Sequence, residues 1–332
     1  MELLSSSDDD ISRSAAALGA GALVAFPTET VYGLGGDAFN VKALARIFEA
    51  KNRPFFDPLI IHIAENATLE RLVLREALDK KAREKFDLLV KKFWPGPLTL
   101  ILPKRPELPD LANAGLPSAA IRFPSNIIAQ KLIRLSTGAV AAPSANPFGC
   151  LSPTRAEHVI LLLGDKADYV IDGGRTGVGL ESSVLDITTE PCRLLRPGGV
   201  SREQIEAVIG RVEIPERTAE NTAQKSPGQM KNHYAPRTPL RLFPRGSLTF
   251  PLLPNEGRLY FSLPEKFNED KTTGEQIRVL SVHGNLSEAA ANFFDMLHEL
   301  DSLGLEIINA EEAPPYGLGA AINDRLRRAS SD

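Results

Sequence analysis

Three short stretches of this chain place anion-binding or hydrogen-bonding side chains next to apolar runs. Lys51-Asn52-Arg53-Pro54 follows a helical pattern. In an extended segment, residues two apart share a side, so Lys51 and Arg53 can face one anion together. The ammonium would act as a point charge and the guanidinium as a fork for phosphate. Pro54 and Pro58 stiffen the loop. Spacing alone also admits a solvated basic turn. Pro143-Ser144-Ala145-Asn146-Pro147 puts a hydroxyl and an amide on one side, just past an apolar strand. It reads equally as a capping turn. Thr28-Glu29-Thr30-Val31-Tyr32 offers two hydroxyls and a carboxylate at a strand end, where open α/β sheets bind ligands. It reads equally as a hydroxyl-stabilised turn.

Other chemistries find less support. Gly33-Leu34-Gly35-Gly36-Asp37-Ala38 fits G-x-G-x-x-A, but it lies well beyond the end of the preceding strand. A dinucleotide fingerprint needs a tight strand-to-helix turn there. The alternative is a glycine-rich turn that allows close backbone approach. No G-x-x-x-x-G-K-[ST] occurs. Neither Ser144 nor Cys150 has a histidine and carboxylate at a recognisable nucleophile spacing. His62, His158, His233, His283 and His298 lack metal-ligand spacing, so no metal is expected on protein side chains.

The elements that must position these groups alternate. Apolar runs at Leu23–Phe26, Leu59–Ile63, Leu98–Leu102, Ala119–Arg122, Ala139–Ala142, Val170–Asp172 and Ser183–Ile187 have strand length. Helical patterns cover Ile11–Leu18 (with Asp10 or Ser12 as cap), Val41–Glu49, Asp79–Phe93 and Ile127–Leu135. This alternation predicts an α/β fold with a twisted, largely buried open sheet. Residues 212–239 carry Pro215, Pro227, Pro236 and Pro239 with little periodicity and read as a linker. Beyond it, strands at Leu240–Phe243, Arg258–Ser262 and Arg278–Ser281, and helices at Asn285–Leu303 and Gly319–Ala329, predict a smaller α/β domain. The division is thus 1–211, 212–239 and 240–332.

The chain has 332 residues and a net charge of −4, ample for two cores and no signature of a nucleic-acid binder. Acids outnumber bases after residue 240, so an anion site belongs in the first part. Two distant cysteines, Cys150 and Cys192, fit a cytoplasmic setting better than a disulfide scaffold. No stretch approaches the roughly 18 apolar residues of a membrane span, and the acidic start lacks secretory features.

The motifs become specific as an ordered set. Ala25-Phe26-Pro27-Thr28-Glu29-Thr30-Val31-Tyr32-Gly33, Lys51-x-Arg53-Pro54, Asp57-Pro58-Leu59-Ile60, Trp94-Pro95-Gly96-Pro97-Leu98-Thr99, Arg122-Phe123-Pro124, Pro143-Ser144-Ala145-Asn146, Gly179-x-Glu181-Ser182-Ser183 and Leu195-Arg196-Pro197-Gly198 occur in one series. The series resembles the YrdC-like family. Ser226-Pro227-Gly228-Gln229-Met230-Lys231-Asn232-His233-Tyr234-Ala235-Pro236 and the terminal Gly317-Leu318-Gly319-x-Ala321-Ile322-x-Asp324-Arg325-Leu326 resemble its two-domain, threonylcarbamoyl-AMP synthase form. The likeness covers nearly the whole chain.

That resemblance implies a YrdC-like open sheet followed by a linker and a smaller Rossmann-like domain. It implies an enzyme joining L-threonine, bicarbonate and ATP into threonylcarbamoyladenylate and pyrophosphate, with Mg²⁺ accompanying ATP. A downstream tRNA threonylcarbamoyl-transfer machinery would then modify adenosine 37 of tRNAs reading A-starting codons. Lys51, Arg53 and Arg196 would contact phosphates, and Ser144 and Asn146 would orient the phosphate or carbamate. Asp57, Ser118 and Ser152 would lie near the nucleotide. Thr30, His62, Arg122 and Ser182 would hold threonine, and His233 and Tyr234 would reach the site from a linker acting as a lid. Three positions depart from the family pattern. Asp57 stands where Asn is common, Ser183 replaces a more common Thr, and Cys150 stands where a basic residue is common, which either weakens the phosphate contact or leaves it to Arg155. The competing reading is an RNA-binding module of the same fold without nucleotide chemistry.

Overall fold

The computed structural model describes residues 1–215, 234–249, 251–263 and 274–330. Most of the expected linker, His233 included, lies outside the described residues. The first sheet takes strands β1 (Glu2–Leu4), β2 (Val24–Pro27), β3 (Tyr32–Asp37), β4 (Ile60–Ile63), β5 (Leu98–Pro103), β6 (Ser118–Arg122), β7 (Ala139–Ala141), β8 (Tyr169–Ile171), β9 (Ser183–Asp186) and β10 (Arg193–Arg196). Their spatial order is β1-β8-β2-β3-β7-β4-β6-β5-β9-β10, with parallel and antiparallel pairs mixed. Its helices are α1 (Asp8–Gly19), α2 (Val41–Lys51), α3 (Asn66–Leu72), α4 (Lys80–Phe93), α5 (Asp110–Asn113), α6 (Ile127–Leu135), α7 (Ala156–Leu163) and α8 (Arg202–Ile209).

Two local differences from the sequence reading have plain causes. Helix α1 starts earlier than expected because Ser7 accepts the Asp10 amide, with Asp8, Asp9 and Asp10 at the positive end of the helix. The segment Gly33–Asp37 is strand, not turn. Its glycines serve close packing: a Cβ on Gly35 would stand 2.7 Å from Phe26 and 2.9 Å from Val140. Glycine is poor strand material on propensity alone, and tertiary packing overrides that here.

The pleat of the central strands separates core from site. Ile61, Ile121, Leu100 and Leu185 lie side by side in register and belong to the main core beneath α2 and α4. Their neighbours point the other way, because successive strand residues alternate faces. On that second face, Ile60, Ala120, Ile101 and Val184 form a small apolar floor. His62, Arg122 and Thr99 are the next rung along it. Around β2 and β7 the same side of the sheet is covered instead by α1 and α6.

The second domain is a parallel four-stranded sheet, ordered β11 (Leu240–Phe243), β14 (Ile307–Glu311), β12 (Glu256–Tyr260), β13 (Ile277–Val279). Helix α9 (Leu286–Ser302) buries Ala289, Phe293, Leu297 and Leu300, one stripe at helical spacing. Helix α10 (Leu318–Ala329) packs against it. The core of this domain also takes in Val31, Leu151, Leu180 and Tyr234 from the rest of the chain. Polar contacts reinforce the junction. Arg155 forks onto Asp295 of α9 at 2.7 and 3.0 Å, Arg175 reaches the same carboxylate at 3.2 Å, and His158 stacks on His298.

Two glycines test the packing argument. Gly35→Ala should lower the unfolding free energy by about 1–3 kcal/mol through overpacking. Gly19→Ala, with nothing within 4 Å of its added Cβ, should be neutral or stabilise by up to about 1 kcal/mol. Urea midpoints of the two variants check both signs, and equal midpoints would refute the close-packing role of Gly35.

Candidate active site

The cleft opens on the second face of the central strands. Thr28, Thr30, Val31, Gly33, Arg53, Ile60, His62, Arg122, Ala142, Pro143, Ser144, Glu181, Ser182, Arg196 and Tyr234 line it. The space between these residues is about 490 Å³, a figure that counts open solvent at the mouth.

One end is built from strand residues and the β2–β3 hairpin. Thr28 accepts the Thr30 amide, donates to the Val31 carbonyl and shares a 2.8 Å hydroxyl contact with Thr30. The threonines therefore brace the turn and face the cleft at once, so both readings of that stretch hold. His62 and Arg122 are register partners on β4 and β6. Burial first, and then the charge of Arg122, pulls His62 down to about 3. The ring is neutral at physiological pH, fit for a directed hydrogen bond and not for proton transfer near neutrality. Arg122 is ion-paired to Glu29 at 2.8 Å, with both side chains largely buried. Its Nε is buried with no hydrogen-bond partner among the described residues. Such an orphaned charged donor fits an oxyanion ligand.

The other end gathers Arg53, Ser144 and Arg196. Lys51 and Arg53 do not point together. Lys51 is the last residue of α2, Asn52 turns left-handed at φ 51°, and the Arg53 amide closes on the Phe48 carbonyl at 2.9 Å. That helix C-cap corrects the extended segment expected from sequence. The Lys51 ammonium is buried beneath the cleft wall and donates to the Ser144 and Asn146 carbonyls. Burial, then the charge of Arg53, pulls it well below its usual value, while the two carbonyl acceptors favour the charged form. Arg53 does line the cleft, held by the Asp57 and Pro58 carbonyls at 3.0 and 2.8 Å and by the Asp57 carboxylate at 2.9 Å. Burial pushes the Asp57 carboxyl up, and Arg53, then Lys51 and Arg196, oppose it. Asp57 is thus the counter-ion of Arg53, a role the departure from Asn makes possible.

The segment after β7 runs beside β3. The Leu34 amide donates to Pro143, and the Ala145 amide to Tyr32. This backbone pairing aims Ser144 into the cleft and Asn146 away from its lining, where the amide ties Pro147 and Cys150. Arg196 donates to the Ser182 carbonyl and hydroxyl at 3.1 and 3.2 Å, and Ser182 also contacts Thr99 at 2.7 Å.

Of the residues singled out from sequence, Thr30, Arg53, His62, Arg122, Ser144, Ser182, Arg196 and Tyr234 meet in the cleft. Lys51, Asp57 and Asn146 support it from behind. Ser118 shares the face of Arg122 but lies four residues down β6, roughly 13 Å away at strand rise. Ser152 is buried and donates to Glu181. Arg155 pairs with Asp295 and is not among the residues lining the cleft. Ser183 exchanges hydrogen bonds with Val200, which makes its departure a packing matter. Sequence reasoning gave Glu181 no role, although it stands inside a quoted motif beside Ser182. Glu181 lines the cleft, and its carboxylate is paired with Arg325, 144 residues away.

Comparison with known proteins decides the family. Residues 16–198 match the family model described as "Telomere recombination", and residues 200–331 match "Threonylcarbamoyl-AMP synthase, C-terminal domain". The chain is 43% identical over 322 residues to the threonylcarbamoyl-AMP synthase of Pyrococcus abyssi, covering 93% of this chain and 91% of that one.

The chain belongs to the threonylcarbamoyl-AMP synthase family.

The family's synthase from Bacillus subtilis is 41% identical, covering 98% of this chain and 94% of its own. The crystal structure of P. abyssi Sua5 complexed with L-threonine superposes with a TM-score of 0.88 at 37% identity, covering 99% of this chain and 98% of that one. The fold is accordingly that of the family: a YrdC-like sheet domain followed by its own C-terminal domain. These relatives are enzymes, and the likeness spans both domains.

The buried neutral histidine gives a pH test. The unfolded chain protonates a histidine below about pH 6.5, while folded His62 stays neutral down to about 3. The unfolded state therefore binds more protons in that window, and stability falls as pH falls, by roughly 1.4 kcal/mol per pH unit for one such group. His62→Gln should flatten the decline of the urea midpoint between about pH 6.5 and about pH 5. An unchanged slope would show that His62 is not held neutral.

Proposed function

We propose that this protein condenses L-threonine, bicarbonate and ATP into L-threonylcarbamoyladenylate, releasing pyrophosphate. The observation that carries the proposal is one cleft with two cationic ends. Arg122, flanked by His62, Thr30 and Ser182, suits an amino acid, and Arg53, Arg196 and Ser144 suit a polyphosphate. Charged groups buried around a cleft suit small molecules better than a bare RNA surface. The first of these groups would hold threonine, with its carboxylate across the fork of Arg122. The second group, with Lys51 fixing the Ser144 segment from below, would hold the phosphates. His233, outside the described residues, would join Tyr234 beside the nucleotide.

The chemistry then asks for positioning. Threonine's amine adds to carbon dioxide from bicarbonate and loses a proton to solvent. A carbamate oxygen attacks the α-phosphorus, a P–O bond forms, and the bond to pyrophosphate breaks. Two anions must be brought together, and guanidinium groups already fixed around the cleft lower that cost before reaction begins. Glu181, the acidic residue in the cleft lining, already accepts from Ser152 and Arg325 through both carboxylate oxygens. The donors left for Mg²⁺ are the nucleotide's own phosphates and water. When bound, the ion would neutralise phosphate charge and ease departure of pyrophosphate. The product is an activated carbamoyl donor, consistent with a cytoplasmic place ahead of transfer to adenosine 37 of tRNA. No helix among the described residues is long and apolar enough to cross a membrane.

Pyrophosphate release should require threonine and bicarbonate together. Arg122→Lys replaces a fork by a point charge and should raise the KM for threonine about 10–100-fold, the loss of a charge-assisted hydrogen bond. The KM for ATP should change little. Steady-state kinetics with each substrate varied checks this, and equal rises in both KM values would contradict the assignment of Arg122 to threonine.

A further inference from the structure

The C-terminal helix α10 places a charged side chain behind the active-site wall. Arg325 is fully buried. Its Nε and Nη2 donate to one Glu181 oxygen at 3.1 and 3.0 Å, and Ser152 donates to the other oxygen. Nη1 donates to the Pro197 carbonyl and to Asp324. The guanidinium carbon also lies 5.1 Å from the ring centre of Tyr234. Arg325 does not line the cleft, yet Glu181, Tyr234 and Arg196, the neighbour of Pro197, all do.

The wall has little slack. The Gly199 amide donates to the Glu181 carbonyl at 3.0 Å. A Cβ on Gly198 would stand 2.3 Å from that oxygen and 2.5 Å from the backbone of Ser182 and Ser183. The segments 181–183 and 196–199 therefore move together, because close-packed backbone transmits displacement. Charge adds a second demand. Glu181 is an anion beside a site for anions. Unpaired, it would repel phosphate and compete for Arg53 and Arg196.

We propose that Arg325 is a positioning residue for the active site. It neutralises Glu181, turns its carboxylate away from the substrates, and anchors Pro197, so that Ser182, Arg196 and Tyr234 keep their places. The second domain is then part of the catalytic apparatus. His298 of α9, 3.1 Å from the Ser152 carbonyl, supports the same wall from another point. The proposal rests on the reading of the cleft as a threonine and ATP site.

Kinetics of Arg325→Met, Glu181→Gln and the double variant test it, with thermal melts to confirm folding. Arg325→Met should lower kcat/KM for ATP about 10–100-fold, as losses behind a reacting site do. The double variant should recover much of that loss, because no unpaired carboxylate remains. A merely structural Arg325 gives no such rescue. If Arg325→Met does not fold, Arg325→Lys keeps the charge but cannot reach Glu181 and Pro197 together, and its turnover should still drop. Folded Arg325 variants at wild-type turnover, or a double variant as poor as Arg325→Met, would overturn the proposal. The wild-type protein in the same assay separates the two readings. Without threonine-dependent pyrophosphate from wild type the functional reading falls and takes this one with it. An active wild type with unaffected variants fells this one alone.

Discussion

Burying Arg53, Arg122 and Arg196 around one cleft is the constraint on which the rest of the site depends. Charges taken out of water cost free energy, and like charges in a poorly screened space repel. Each guanidinium is therefore held by a specific device. Arg53 has Asp57 and two carbonyls, Arg122 has Glu29, and Arg196 has the Ser182 carbonyl and hydroxyl. These partners only partly offset the charge. The orphaned Nε of Arg122 is the clearest remainder. Anionic substrates complete the balance, which is why a cleft so costly to assemble is suited to joining two anions.

The fold supplies what that constraint requires. Strand pairing in register sets His62, Arg122 and Thr99 on one rung, above an apolar floor that gives them no competing partners. Glycines in β3 let the Ser144 segment pack against the hairpin carrying Thr28 and Thr30. The Lys51 ammonium fastens that segment from below. Tyr234 lines the far wall, and Arg325 of the second domain backs it. Substrates thus meet groups already fixed, and little reorganisation remains at the moment of reaction.

Much of this was legible in the sequence where the signal is local. Apolar runs marked the central strands, and α6 and β11 fall at the expected residues. The ordered motifs named most of the cleft lining. Misreadings arose where tertiary context decides. Strand β3 hid behind its glycines, whose value lies in contacts with Phe26 and Val140. Lys51 and Arg53 looked parallel only with Asn52 read as an extended position, although asparagine is a residue type that favours left-handed helix ends. Strands β10 and β14 and helix α8 went unread, although Ser201 and Gln204 spell a capping box before α8. Arg155 and Arg325 are ordinary basic residues until the fold brings Asp295 and Glu181 to them.

The central claim is that one cleft joins an amino-acid carbamate to the α-phosphate of ATP. Mass spectrometry of the nucleotide product formed from threonine, ATP and isotopically labelled bicarbonate tests it most directly. The account predicts an adenylate carrying threonine and the labelled carbon, formed in step with pyrophosphate. AMP and pyrophosphate with no labelled adenylate at any time in the reaction, or ADP and phosphate instead, would contradict it.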